Sequence, residues 1–350
     1  MIGLFRSLPR ALSRLRRLPP LWLALATSLI AAGGPVLAQT PPAPSAAEVA
    51  RSLGRGLNIL GYDPIWITPA WARFKAKHFA AIHDAGFSSV RVNLVAFDHM
   101  DGDNRLNAQW LSTLDWVVSN ALANHLAVIL DEHDYNICSQ DPVACRPRLL
   151  AFWSQIAERY KDAPSSVLFE ILNEPNTKLT DDLWGPLSAD ALAVIRRSNP
   201  TRTVIIGPTF WNNIDHLDTL QLPAGDRNIL VTVHYYLPMR FTHQGASWSA
   251  DTRDLSGITW GSPAEYARLN ADFDRVKAWS LAHDRPILLG EFGAYDKADM
   301  DSRVRYTSAV ARAAEARGWP WEYWQFDSNF IAYDMSRDTW VEPIRGALAP

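Results

Sequence analysis

The feature that most constrains the fold is a regular alternation of short apolar segments and longer helical patterns along nearly all of the 350 residues. Eight apolar, β-rich segments predict strands at 54–60, 88–94, 126–133, 166–174, 203–209, 229–236, 286–293 and 320–326. Helical patterns between them predict helices at 71–85, 108–125, 148–161, 183–198, 262–284 and 300–317. Strands that are apolar throughout indicate a parallel sheet that is buried on both faces.

Eight strand–helix units predict an α/β fold with a single (β/α)8 TIM barrel. The alternative is an open doubly wound sheet, but no G-x-G-x-x-G motif opens a helix. Most predicted strands end in side chains able to do chemistry. In a barrel these ends face one mouth, whereas in an open sheet they would spread along an edge. Burying so many polar groups without a use would be costly, which favours a catalytic cleft.

The N-terminus resembles an export signal. Residues 1–38 contain five Arg and no acidic residue, with the apolar run 21–32 and the small residues Val36 and Ala38. We therefore predict a secretory signal peptide that is cleaved after Ala38, and a secreted or periplasmic protein without a membrane segment after cleavage. The alternative is an uncleaved anchor, for which the apolar run is short. A short Ala/Pro-rich leader at 39–50 and a catalytic domain at 51–350 follow.

Charge and cysteine content exclude several classes of protein. The formal net charge is −3 and becomes −8 when the five N-terminal Arg are removed, so nucleic acid is not an expected partner. Cys138 and Cys145 lie in one loop, and in an oxidising compartment we expect them to pair, the alternative being two free thiols. No metal-binding motif and no G-x-S-x-G motif is present, so we expect neither a metal, nor a cofactor, nor a serine nucleophile.

Two glutamates carry the predicted chemistry. Glu174 and Glu291 close the fourth and seventh predicted strands. Glycoside hydrolysis requires two carboxyl groups across one sugar, and a separation of about 5–5.5 Å gives retention of configuration. Glu291 would stay ionised if Arg91 and Tyr236 reach it, and Glu174 would stay protonated through burial and the charge of Glu291. The alternative is that each glutamate only forms a buried ion pair with an arginine.

Several sequence strings resemble glycoside hydrolase family 5, particularly its cellulase and endoglucanase members. They are ILNEPN at 171–176, VTVHYY at 231–236, LPMRFTHQGASW at 237–248, LLGEFGAYDKADMDSRVRYTS at 288–308 and WPWEYWQFDSNFIAYD at 319–334. The resemblance extends from about residue 51 to residue 348. It implies that Glu174 is the general acid/base and that Glu291 is the nucleophile.

The same resemblance assigns substrate-binding roles. Asn173 would bind the sugar 2-hydroxyl, Arg91 and Tyr236 would hold the nucleophile, and Trp324 would lie under the sugar before the scissile bond. His133 and His234 would line the cleft, and Asn58 would be a further sugar-binding residue. The chain departs from many relatives at Asp134, after His133, and at Gln325, which leaves the sugar preference open.

The chain contains 15 Trp, an excess that often indicates surfaces that stack on sugars. Trp66, Trp211, Trp248 and Trp260 fall in predicted loops and are candidates for sugar stacking, the alternative being that each packs its own loop. Five others have helical spacing and are expected in the core: Trp71, Trp110, Trp116, Trp153 and Trp279.

Together these features predict a secreted, monomeric, retaining endo-β-1,4-glucanase (cellulase) that cleaves cellulose or mixed-linkage β-glucan by double displacement. Its expected partner is a polysaccharide or an oligosaccharide. The alternatives are a β-1,4-mannanase or another β-glycanase of the same family, and a barrel that binds glycan without cleaving it.

Overall fold

A computed structural model describes residues 43–350; the predicted signal peptide and the first part of the leader lie outside this range. Within it, eight parallel strands close into a barrel in chain order, with β1 paired to both β2 and β8. The strands are β1 (Arg55–Ile59), β2 (Ser89–Leu94), β3 (Ala127–Glu132), β4 (Val167–Glu170), β5 (Val204–Ile206), β6 (Ile229–Tyr235), β7 (Ile287–Phe292) and β8 (Trp321–Tyr323). The predicted (β/α)8 barrel is confirmed.

Helices surround the barrel, and all six predicted helices are present with shifted ends. The helices are α1 (Ala46–Leu53), α2 (Ala76–Asp84), α3 (Ala108–Ala123), α4 (Tyr135–Gln140), α5 (Pro142–Arg159), α6 (Asp181–Arg196), α7 (Thr209–Asn212), α8 (Met239–Thr242), α9 (Pro263–His283), α10 (Met300–Glu315) and α11 (Glu342–Leu348). A short ribbon pairs β9 (Tyr333–Asp334) with β10 (Thr339–Trp340). No helix within residues 43–350 is long and apolar enough to span a membrane.

Three elements begin or end at residues that differ clearly from the predicted ones. Helix α2 begins at Ala76 rather than near residue 71, because Pro69–Trp71 forms a separate 3-10 turn. Helix α5 begins earlier than predicted, at Pro142, where Asp141 accepts a hydrogen bond from the Ala144 N–H and proline suits the first helical position. Strand β4 ends at Glu170, so Asn173 and Glu174 lie in the segment beyond the sheet.

Helix α1 closes the N-terminal end of the barrel and corrects the predicted leader at 39–50. Ser45 caps this helix in a capping box with Glu48. Its apolar face packs against inward-facing strand residues, and this floor cluster comprises Val49, Ala50, Leu53, Ala127, Ile129, Leu168, Ile205, Leu230 and Leu288. The folded unit of the barrel therefore includes the last residues of the segment that the composition assigned to a leader.

A β-bulge in β7 changes the direction in which the Glu291 side chain points. Val233 pairs with Leu289, but the next residue of β6, His234, pairs with Glu291, so that Gly290 is the extra residue. A Cβ atom on Gly290 would lie 2.3 Å from Thr232 Oγ1, which means that only glycine fits inside the barrel there. Because the bulge breaks the strand alternation, Glu291 also faces the mouth.

The predicted disulfide is present and links two neighbouring helices. Cys138 in α4 and Cys145 in α5 are bonded, and both are buried. Helix α4 directly follows β3, so the bond ties the segment after this strand to the outer helix α5.

Candidate active site

Glu291 lies in the barrel mouth and accepts two hydrogen bonds. The Arg91 guanidinium donates to its Oε1 at 2.9 Å, and the Tyr236 hydroxyl donates to its Oε2 at 2.8 Å. Both contacts are those that the sequence led us to expect. Burial and the charge of Glu174 raise the pKa of Glu291, while the positive charge of Arg91 opposes this rise. Arg91 and Tyr236 therefore both reach Glu291, which is the condition under which the sequence led us to expect an ionised carboxylate.

Glu174 follows β4 on the opposite side of the mouth and is held mainly by one histidine. His234 Nδ1 lies 2.7 Å from Glu174 Oε1. Burial raises the pKa of Glu174 to about 7, although the positive charges of His133 and Arg91 oppose this rise. A carboxyl group with a pKa near neutrality can both donate and accept a proton at physiological pH.

The two carboxyl groups are close together. One carboxylate oxygen of Glu174, one of Glu291 and one ring nitrogen of His234 all lie within 4.8 Å of one another. The His234 ring lies between the two acids, since its Nδ1 is also 3.6 Å from Glu291 Oε2. A single pyranose ring can therefore be contacted by both acids at once.

Arg91 lies beneath the mouth and donates hydrogen bonds to several side chains of the site. It donates to both oxygens of Glu170, at 2.7 and 2.9 Å, and to Asn173 Oδ1 at 2.7 Å. Because Asn173 Oδ1 accepts from Arg91, the Asn173 amide nitrogen is left to donate towards the cleft. Burial opposes the Arg91 charge, but neighbouring acids hold the pKa of Arg91 well above its usual value.

Asn58 is not at the cleft surface, and its predicted role as a sugar-binding residue is wrong. Its side chain is completely buried. The amide nitrogen donates to the Gly290 carbonyl at 3.0 Å, and the amide oxygen accepts from Arg91 at 2.7 Å and from Asn93 at 3.0 Å. Asn58 therefore orients Arg91 from below.

His133 and Trp324 form one wall of the cleft. Their rings are parallel within 8°, with centroids 5.6 Å apart. His133 Nδ1 lies 2.6 Å from Asp131 Oδ2. Burial opposes a charge on His133, but Asp131 outweighs it and raises the pKa of His133. The wall thus combines a flat indole with a histidine whose protonated form is favoured by Asp131.

The four loop tryptophans divide into two pairs. Trp211 and Trp248 are 48% and 56% exposed, so about half of each side chain is open to solvent. Trp66 and Trp260 are only 5% and 3% exposed; Trp66 stacks on Trp110, and Trp260 packs against Tyr306. Sugar stacking by Trp66 and Trp260 is therefore wrong, because both rings are used to pack their own loops.

The five tryptophans predicted for the core agree with the structure in four cases. Trp110, Trp153 and Trp279 are buried, and Trp116 is partly buried against the main core. Trp71 is exposed, since it lies in the 3-10 turn before α2 rather than in the helix.

Tyr62 and Asn212 are among the residues of the mouth that were not predicted. Tyr62, just after β1, is 68% exposed and has its ring edge-on to Trp324 at 6.4 Å between centroids. Asn212, after β5, is buried with its Nδ2 3.2 Å from His234 Nε2. Both lie in segments that connect the carboxyl end of a barrel strand to the next strand, and this position was the signal that could have identified them.

Glu174, His234 and Glu291 are also close enough to hold a metal ion. Glu291 already accepts from Arg91 and Tyr236, however, and the Arg91 charge lies 2.9 Å from Glu291 Oε1. A cation bound there would be repelled by the guanidinium, so these side chains fit an acid pair better than a metal site.

A closed (β/α)8 barrel with two carboxyl groups facing each other across its C-terminal mouth defines a barrel of the glycoside hydrolase type. Residues 50–330 match the family described as cellulase (glycosyl hydrolase family 5). The chain belongs to this family, as the sequence motifs predicted.

Known proteins with similar sequences and structures support the same assignment. The chain is 29% identical over 318 residues to endoglucanase H of Acetivibrio thermocellus, covering 88% of this chain but 34% of that protein. The structure of endoglucanase Cel5A from Thermotoga maritima is similar, with a TM-score of 0.83, 40% identity, and coverage of 87% of this chain and all of that one. Further structures of the Thermotoga maritima protein are complexes with mannotriose and with cellobiose.

Proposed function

We propose that this protein is a secreted, retaining endo-β-1,4-glucanase that acts on cellulose or mixed-linkage β-glucan. The observation that carries the proposal is the approach of Glu174 and Glu291 to within 4.8 Å, measured between one oxygen of each. The two carboxyl groups of retaining enzymes lie roughly 5–5.5 Å apart, whereas those of inverting enzymes lie roughly 6.5–9.5 Å apart to admit a water, so an approach of two oxygens to within 4.8 Å supports the retaining arrangement.

The first step forms a covalent glycosyl-enzyme. Glu291 Oε attacks the anomeric carbon while Glu174 gives its proton to the glycosidic oxygen, and the bond between that oxygen and the anomeric carbon breaks. Arg91 and Tyr236 orient Glu291 through one hydrogen bond to each of its oxygens. Asn173, whose amide nitrogen is free to donate, is placed to bind the sugar 2-hydroxyl.

The second step returns the enzyme to its starting state. Glu174, now ionised, removes a proton from water, and the resulting hydroxide attacks the anomeric carbon and displaces Glu291. The two inversions together give net retention. The pKa of Glu174 near 7 suits both the donation in the first step and the abstraction in the second.

The roles of the two glutamates can be tested separately by chemical rescue. In Glu291→Gly, sodium azide should restore turnover of an activated aryl cellobioside and give the α-glycosyl azide. In Glu174→Ala, azide should give the β-glycosyl azide, because the covalent intermediate still forms. Glu158→Gln, an exposed substitution on α5, serves as the control. Full activity of both active-site variants would overturn the proposal, and glycan retention without product would indicate a binding barrel.

The second candidate substrate is a β-1,4-mannan, because the related Thermotoga maritima Cel5A is known in complexes with both mannotriose and cellobiose. A panel of carboxymethyl cellulose, barley β-glucan, glucomannan, xyloglucan and laminarin distinguishes these glycans by release of reducing ends. NMR of the first product identifies the anomer, and a product of inverted configuration would contradict the retaining mechanism.

The same proposal includes secretion of the chain and its division into a signal peptide, a short leader and a catalytic domain. A signal peptide at residues 1–38 would deliver the chain to an oxidising compartment, where the disulfide between Cys138 and Cys145 is stable. N-terminal sequencing of the exported protein tests this, and we expect the mature chain to start at Gln39.

A further inference from the structure

We infer that Asn212 is a positioning residue for acid/base catalysis, because its amide fixes which nitrogen of the His234 ring carries the hydrogen and so presents an N–H to Glu174. The inference rests on the proposed function, since it assigns a role within that reaction. Asn212 lies after β5 and reaches Glu174 through the His234 ring.

The orientation of the Asn212 amide is fixed by a backbone carbonyl. Its Nδ2 donates to the Asn173 carbonyl oxygen, a group that can only accept. The same Nδ2 lies 3.2 Å from His234 Nε2. Because an amide nitrogen can only donate, Nε2 of His234 must accept. His234 is therefore neutral with its hydrogen on Nδ1, the atom that lies 2.7 Å from Glu174 Oε1.

The surroundings of His234 agree with a neutral ring. The titratable and charged groups that face it are Glu174 after β4, Glu291 on β7, Arg91 on β2, Asp131 on β3 and His133 directly after β3. Burial lowers the pKa of His234 to about 4, outweighing the acids Glu291 and Asp131, which favour the charged ring. At neutral pH the choice is therefore between two neutral tautomers, and Asn212 decides it.

The tautomer matters because Glu174 must release and recover a proton in each cycle. A Nδ1–H that donates to Oε1 leaves the other oxygen, Oε2, to carry the proton towards the leaving group. It also stabilises the carboxylate after that proton has left. The opposite tautomer would present a lone pair to Glu174, and the acidic proton would then be held by His234 instead of the glycosidic oxygen.

The backbone that carries Asn212 has an uncommon conformation. Phe210, Trp211 and Asn212 all have left-handed φ angles, of 55°, 62° and 53°. Such conformations are unfavourable for residues other than glycine and cluster at functional sites. A Cβ atom on Gly207 would lie 2.0 Å from Asn212 Oδ1, so the glycine makes room for the amide.

The tautomer itself can be measured in Asn212→Asp. An aspartate at this position can only accept, so the His234 hydrogen should move to Nε2. Long-range ¹H–¹⁵N NMR of histidine-labelled protein should show the Nδ1–H pattern for wild type and its loss in the variant, with the signal assigned by its absence in His234→Gln. Asn213→Asp, which keeps the acceptor for the Asp215 N–H, is the matched control. An unchanged His234 pattern would overturn the inference.

Kinetics separate a role in acid catalysis from a structural role. For Asn212→Asp we expect kcat/KM on cellotetraose to fall at least about tenfold, and kcat/KM on 2,4-dinitrophenyl β-cellobioside to stay within about threefold of wild type, because that leaving group needs no proton. Equal loss on both substrates, or loss on neither, would overturn the inference. Asn212→Gly, which tolerates the left-handed backbone, replaces the aspartate variant if that does not fold.

The two proposals fail in different ways. If the wild-type protein cleaves neither substrate, the proposed function fails, whereas the NMR result still reports the tautomer. If the wild-type protein cleaves both and the variant matches it, only the role of Asn212 fails.

Discussion

Arg91 and Glu170 form a two-pronged ion pair inside the barrel, with Nε and Nη2 of the arginine 2.7 and 2.9 Å from the two carboxylate oxygens. The same guanidinium reaches Glu291 at 2.9 Å, so the orientation of the proposed nucleophile depends on a pair that is buried below it. Breaking such a buried pair leaves an uncompensated charge and costs about 3–5 kcal/mol.

Arg91→Lys should therefore lose both stability and activity. A lysine ammonium cannot reproduce the planar fork, so Glu170 and Glu291 cannot both be satisfied. We expect the free energy of unfolding to fall by about 3 kcal/mol and kcat/KM to fall by more than about 100-fold. Urea unfolding and cellotetraose kinetics measure the two effects. Arg105→Lys, on an exposed loop, is the control, and a fully active Arg91→Lys would contradict the prediction.

The activity should depend on pH with a bell shape. Glu174 acts as an acid only while protonated, so kcat/KM should fall as the pH rises through about 7. Glu291 acts only when ionised, and because burial raises its pKa, the acidic side of the profile should lie above the usual value of about 4.3. A profile with no loss of activity above pH 7 would argue against Glu174 as the acid.

Tyr236→Phe should move the acidic side of that profile to higher pH. The substitution removes one donor from Glu291, and a hydrogen bond to a charged group contributes about 1.5–3 kcal/mol, which corresponds to a shift of about one pH unit or more. The pH dependence of kcat/KM measures this. Tyr266→Phe on α9 is the control, and equal shifts in the two variants would refute the assignment.

Glu322 should make the protein less stable as the pH rises. Burial raises the pKa of this interior carboxyl group to about 8, well above about 4.3 in the unfolded chain. Its stabilising contribution is therefore complete below about pH 4.3 and is lost as the pH rises towards 8. Glu322→Gln should match wild type near pH 4 and exceed it by more than about 1.4 kcal/mol at pH 9, in chemical unfolding. A constant difference between wild type and Glu322→Gln, or the same trend in Glu158→Gln, would contradict this.

The two classes of loop tryptophan should respond differently to alanine. Trp211→Ala should raise KM for long cello-oligosaccharides about three- to tenfold, because it removes an exposed stacking face, and should leave stability unchanged. Trp66→Ala should lower the free energy of unfolding by about 3–5 kcal/mol and leave KM of the folded fraction unchanged. Kinetics and thermal unfolding of both variants measure these effects. A loss of stability in Trp211→Ala together with a raised KM in Trp66→Ala would contradict the prediction.

Removal of metal ions should not affect hydrolysis. The Arg91 charge beside Glu291 disfavours a cation between the two glutamates. Dialysis against EDTA, followed by assay and by elemental analysis, should show unchanged kcat/KM. Loss of activity that zinc or calcium restores would show that Glu174, His234 and Glu291 bind a metal.

The sequence predicted the barrel well because its strands are buried on both faces and its polar residues stand at strand ends. The closeness of Glu174 and Glu291 followed from that topology. The bulge at Gly290 did not, since one extra residue in β7 leaves the apolar pattern unchanged. The burial of Trp66 and Asn58 was also beyond prediction, because a loop position or a strand end does not reveal whether a neighbour covers it.

The role of Asn212 depends on backbone geometry that sequence patterns do not describe. Left-handed φ angles are uncommon for Phe210 and Trp211, and although asparagine adopts them more readily, no residue preference signals three such angles in a row. Departures from local preference of this kind are expected at functional sites.

Helix α1, near the N-terminal end of the described chain, joins a cluster that also contains Leu288 from β7. During synthesis, Val49 and Leu53 emerge from the ribosome well before Leu288, and the surface that they cover is incomplete until the seventh strand is made. A recombinant protein that begins after residue 53 would lack helix α1. The apolar residues at the N-terminal end of the barrel would then be exposed to solvent, which favours self-association. Recombinant protein should therefore begin before Ala46, so that helix α1 is complete.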